Sequence, residues 1–245
     1  MDAPAERTPT ATPPSRPASA PRFGGRLLLW MALTAGLYGV LWLTGFRQRE
    51  LGLAIERGAA EAESHGIGET SDDLVRKAIR AQRETLPFWT AVVALGDFVG
   101  EPLLLALRAA TVAVLFAALA ALRGRRAGFD AAMAQCAALQ GLWVLGLAVQ
   151  VVLMVGLRRP SVETSAVLLL GRGAYSAWQW TALRQLDVFA LAGWLAMAWQ
   201  GWRRGQVGPV AALLTCAVLA VGEMGARVFV AVVIGGGIRL TVLPG

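Results

Sequence analysis

The 245-residue chain has one lysine, one histidine and two cysteines, and only 16% of its residues are charged. Each scarcity excludes something. A lone histidine, His65, sits in a polar, Gly-containing stretch with no second His or Cys to complete a metal set, and reads as a solvated loop residue. Two cysteines inside apolar stretches read as small core residues, with no disulfide framework. Histidines one helical turn apart, a Gly-x-Ser-x-Gly elbow and a phosphate-binding loop ending in Gly-Lys-Ser/Thr are all missing, which removes the usual hydrolase and nucleotide-binding signatures. An ordinary soluble domain would carry about 25% charged residues. What the chain has instead is 56% hydrophobic residues, a mean hydropathy of +0.55 and apolar blocks of membrane-spanning length.

The net charge of +7 and pI near 10.8 do not imply nucleic-acid binding. The arginines stand in short groups beside the apolar blocks: Arg22 with Arg26, Arg123 with Arg125 and Arg126, Arg203 with Arg204. Cytoplasmic flanks of membrane helices look like this.

Residues 1–26, rich in Pro, Ala, Ser and Thr, read as a disordered tail. Leu27 to Phe46 gives 20 uncharged residues, enough for a first span, and exceeds the apolar core of a signal peptide. Residues 47–86 are polar, with seven bases against eight acids. Their second half predicts an amphipathic extramembrane helix: Ser71, Asp72 and Asp73 form a cap and acidic first turn, followed by Leu74, Val75, Ala78, Ile79 and Gln82 at helical spacing. Residues 87–235 then form a membrane core. Gly96, Asp97, Gly100, Glu101 and Pro102 interrupt its first apolar stretch, so 88–100 is expected to be a partly inserted lead-in to a span at 103–122. Further spans are expected near 136–157, 186–202 and 210–234, with 236–245 a short flexible terminus that begins in the run Gly235 to Gly237. The predicted fold is an all-α integral membrane bundle of five transmembrane helices. With the N-terminus inside, the inner segments hold 9 Arg in 41 residues and the outer ones 12 Arg or Lys in 79, a bias toward that orientation.

Around Leu186 the chain reads LRQLDVFALAGWLAMAWQGWRRGQVGPVAALL. Leu186, Asp187 and Phe189 enter a span, Gly201 lies near its end, and a short basic loop leads to another span. This resembles a signature of the Yip family, multi-spanning proteins whose eukaryotic members associate with Rab-type GTPases. The order of the remaining segments, including GDFVGEP and the basic loop RGRRAGF, is similar to that of bacterial members. The resemblance implies a five-helix membrane protein with no known catalytic activity and no cofactor, placed in a bacterial inner membrane. No residues match a GTPase contact motif. The expected partners are the lipid bilayer and other membrane proteins or further copies of the chain, with no nucleic acid.

Ionisable groups at bilayer depth are costly, so their positions are informative. On a continuous helix Asp97, Glu101 and Arg108 fall at about 0°, 40° and 20°, one polar stripe. Glu223 and Arg227 are one turn apart. Arg108 and Arg227 lie about 8 and 10 Å from the outer ends of their spans at 1.5 Å per residue. The second and last spans are therefore expected to face each other, with three acids interleaving two arginines. Such a network serves either as helix-packing ion pairs or as a proton or ion pathway in a transporter or channel subunit, and a carboxylate tuned for intramembrane catalysis is a further use. Trp178, Trp180, Trp199 and Trp202 flank the 186–202 segment as interfacial belts do, with Trp194 in its middle. Gly222 and Ala226 have the small-xxx-small spacing that permits close helix contact.

Overall fold

A computed structural model describes residues 23–53, 80, 84–125, 128–159, 162, 164–169 and 177–240. Apart from residue 80, the amphipathic helix expected over 71–82 lies outside them, as does His65. Among the described residues the regular elements are helices: α1 (Phe23–Leu43), α2 (Leu86–Leu95), α3 (Glu101–Leu122), α4 (Phe129–Leu139), α5 (Gly141–Leu157), α6 (Ala177–Gln185), α7 (Val188–Arg203) and α8 (Pro209–Leu240). A short helix at 46–53 follows the turn at Thr44 and Gly45.

Four stretches are long and apolar enough to cross a membrane: Gly24–Leu43, Leu86–Leu122, Phe129–Leu157 and Pro209–Val233. Two of them, Leu86–Leu122 and Phe129–Leu157, begin well before the expected boundaries. The lead-in and span expected at 88–100 and 103–122 are one 37-residue rod. A π turn at Gly96–Gly100 joins α2 to α3, with the Glu101 N–H donating to the Gly96 carbonyl. Pro102 sits at the start of α3, where its missing N–H matters least, so the helix passes through instead of breaking. The span expected from 136 begins at Phe129, with α4 and α5 stacked nearly end to end through Gln140. Gly235 to Gly237, expected in a flexible terminus, lie within α8. The segment expected as a span at 186–202 is α7, whose 16 residues cover about 24 Å. That falls short of a hydrocarbon core of about 30 Å.

α3 is the central helix. Its buried residues Leu105, Arg108, Ala109, Val112, Ala113, Phe116 and Ala120 recur every three or four positions, forming one stripe. The stripe meets α1, α4 and α8, while α7 lies against α4, α5 and α8. Cys136 and Cys216 are both buried and unpaired in the resulting core. At the opposite end Leu41 and Phe46 pack with Val151 and Met154, tying α1 to α5.

Lipid supplies little hydrophobic drive for helix association, so shape must do the work. Here aromatic rings fill notches left by glycines. An added Cβ at Gly141 would stand 2.7 Å from the Trp30 ring, and one at Gly146 would stand 2.8 Å from Phe189. At Gly193 it would run into Trp143, and at Gly201 into Phe116. Gly222 behaves otherwise. Nothing lies within 4 Å of its Cβ position, so the Gly222/Ala226 spacing brings no other described helix close. The outward faces carry exposed Leu29, Leu33, Leu103, Leu107, Val152, Leu214, Val218 and Phe229, as a lipid-facing surface requires.

Candidate functional site

Arg108 lies on the core stripe of α3, so its charge is carried into the bundle with only 3% of its side chain exposed. α8 provides the answering acid. Arg108 Nε donates to Glu223 Oε2 at 2.8 Å, and its Nη2 donates to Glu223 Oε1. Its remaining nitrogen, Nη1, donates to Gln140 Oε1 at 2.9 Å. Gln140 is fully buried at the α4/α5 junction, where its Nε2 donates to the Cys136 carbonyl at 3.1 Å. The guanidinium carbon stands 4.1 Å from the centre of the Trp143 ring and 5.9 Å from that of Trp194, so aromatic faces hold the cation as well.

One turn along α8, Arg227 makes a fork with Glu101 at 2.7 and 2.9 Å, and its Nε donates to Glu223 Oε1 at 3.1 Å. Glu101, Arg227, Glu223, Arg108 and Gln140 thus form a continuous polar chain from the start of α3 to the bundle interior. Two acids match two arginines.

Asp97 does not join it. The π turn inserts one extra residue, which offsets the two sides of the rod by about 100°. Asp97 therefore turns toward the end of α1, accepting from Trp42 Nε1 at 3.0 Å and from Arg47 Nε and Nη2 at 2.9 and 2.6 Å. Arg47 also donates to Glu50 at 2.7 Å. Burial works against the Arg47 charge, but the hydrogen bond to Asp97 and the charges of Asp97 and Glu50 outweigh it and hold the guanidinium above its ordinary pKa.

Beside the Arg108–Glu223 chain lies a cavity of about 180 Å³, lined in part by Tyr38, Arg108, Trp143, Gln150, Asp187 and Glu223. That is room for a few water molecules. Its wall near Asp187 carries a second polar relay: Gln150 donates to Thr164 Oγ1 at 2.7 Å, and Thr164 donates to Asp187 Oδ2. The other Asp187 oxygen caps α7, accepting from the backbone N–H groups of Phe189 and Ala190 at 2.8 and 3.3 Å. Asp187→Ala is expected to cost about 0.5–2 kcal/mol, whereas Asp187→Asn, which can still cap, should stay near wild type. Thermal melts of both variants in detergent check this, and equal melts would refute the capping role.

The family-like residues Leu186, Asp187, Phe189 and Gly201 thus hold the α7 segment in place. The Leu186 carbonyl accepts from the Ala166 N–H at 3.1 Å, and Phe189 and Gly201 form two of the ring-in-notch contacts. Gln140, Trp143, Tyr38 and Gln150 are site residues that sequence reasoning did not single out. Gln140 had a signal, being an isolated polar residue inside an apolar run, AALQGLWVL. Trp194, buried against Trp143 at 5.8 Å between ring centres, serves the site, whereas Trp199 and Trp202 are exposed near the end of α7. The side chains of Trp178 and Trp180 lie outside the described residues.

Among the described residues, no group of three or more His, Cys, Asp or Glu side chains could hold a metal ion. The arrangement can do two things: join α3 to α8 through matched charges, with Gln140 tying in the α4/α5 junction, and present a carboxylate to a small polar cavity. The chain matches no protein-family model, no curated protein and no solved structure in the comparisons made. What the fold and site define is a helical protein built to sit in a membrane.

Proposed function

We propose that the chain is a non-enzymatic polytopic membrane protein of the Yip type, a membrane-organising or interaction protein of the bacterial inner membrane with its N-terminus in the cytoplasm. In this reading α7 completes a five-helix membrane core, supported by its packing along α5 and α8 and by exposed Trp199 and Trp202 near its end. One observation carries the functional part: Glu223 engages Arg108 and Arg227 together, so the intramembrane charges are used to join α3 to α8. The matched charges act as a fastening, and the lipid-facing surface is left for partners or further copies.

A second reading, a transporter or channel subunit, is favoured by the cavity that reaches Glu223. Proton and potassium flux in proteoliposomes separates the two, with wild type measured beside Glu223→Gln and orientation checked by cysteine labelling. The expected result is no flux from folded, oriented protein. Flux that disappears in Glu223→Gln would replace the organising role with transport.

A further inference from the structure

The loops after α3 and α7 meet at one end of the bundle. Arg125 Nη1 donates to the Gly205 carbonyl at 2.5 Å. Arg123 lies beside Gly208, where an added Cβ would stand 3.0 Å from its Nη1. Arg203 and Arg204 come from the same end of α7, so four exposed arginines gather there. Among the described residues none of the four makes a salt bridge, and Asp130 is the sole carboxylate in the segments 123–130 and 203–209. Next to them α7 and α8 form an apolar groove of about 280 Å³ lined by Leu195, Ala198, Trp199, Trp202, Pro209 and Leu213. The Arg203 guanidinium stands 5.1 Å from the centre of the Trp199 ring, which fixes a cation at the rim of the groove.

We propose that this groove and the arginines beside it bind an anionic phospholipid, its chain against Trp199 and Leu213 and its phosphate among Arg123, Arg125, Arg203 and Arg204. The argument is charge complementarity joined to depth. Trp199 is one helical turn from Arg203, about 6 Å along the axis, which matches the step from acyl chain to headgroup. A zwitterionic headgroup would bring its own cation into a cluster with a surplus of positive charge. An anionic one brings none. This inference goes beyond the organising role proposed above and does not depend on it.

The test is native mass spectrometry of the full-length protein taken from equimolar dioleoylphosphatidylglycerol and dioleoylphosphatidylcholine. Wild type is expected to retain phosphatidylglycerol over phosphatidylcholine about tenfold. Arg203→Gln with Arg204→Gln should cut that preference at least about fivefold, given the usual contribution of one basic residue near an anionic surface. Leu213→Trp, which fills the groove and leaves every arginine in place, should reduce retention of the bound lipid, as should Leu195→Trp on the other wall. All these positions are exposed, so melting temperatures should not move. Equal retention of the two lipids by wild type would overturn the proposal. So would a preference that survives the double arginine substitution, or undiminished retention in both groove-filled variants.

Discussion

Replacing Arg108 with alanine is expected to destabilise the protein by about 3–5 kcal/mol, the usual cost of leaving one member of a buried ion pair alone. The loss should show as a large fall in melting temperature in detergent. Glu223 is left with Arg227 alone, Gln140 loses the donor to its carbonyl oxygen, and Trp143 loses the cation on its face. The sharper measurement removes both partners. In Arg108→Leu with Glu223→Leu the remaining charges, Arg227 and Glu101, still satisfy each other at 2.7 Å. Replacing a whole buried pair with apolar groups is often neutral or stabilising, so the double variant should melt above either single leucine variant. A double variant no better than the singles would show that the pair does not act as a unit. An Arg108→Ala protein that melts like wild type would remove the fastening role altogether.

The second large effect is steric. Gly193→Ala and Gly201→Ala are each expected to cost about 1–3 kcal/mol, because the new methyl group overlaps a ring that has nowhere to go. Phe116, which meets Gly201, is 1% exposed, and Trp143, which meets Gly193, is itself pressed against Arg108. Gly222→Ala provides the contrast. Its helix position is open, so the exchange should be neutral or stabilising by roughly 0.5–1 kcal/mol through backbone entropy. Melts of the three variants that fall together would show that the notches do not matter.

What could be read from the sequence follows from what is local. The Glu223/Arg227 pairing on one face of α8 needs only helical periodicity, and the matching depth of Arg108 needs only residue counting. The structure joins these three residues with Glu101. Asp97 left the predicted stripe because periodicity assumes 3.6 residues per turn, and nothing in GDFVG announces a π turn. Its partner Arg47 was illegible for another reason: it belongs to a segment read as polar and extramembrane, and the contact spans 50 residues of sequence. The all-helical, membrane-crossing character was plain from apolar block lengths. The boundaries were less so, since Phe129 to Gln135 carries too little apolar bulk to advertise itself as part of a span. The role of Gly193, Gly201 and Gly146 could not be read at all, because a glycine in a helix says nothing about which ring will occupy the space it leaves.

The unequal lengths of neighbouring helices bear on the surrounding lipid. The 37-residue rod Leu86–Leu122 extends about 55 Å, more than a whole bilayer with its headgroups, while the 16 residues of α7 cover about 24 Å. A flat sheet of uniform thickness cannot suit both. In the five-span arrangement proposed above, the rod must tilt or project, and the lipid beside α7 must thin by several ångströms to keep its chains on apolar surface. A molecule so arranged imposes a change in bilayer thickness from one flank to the other, and sits with least strain where the bilayer is already thin or bent.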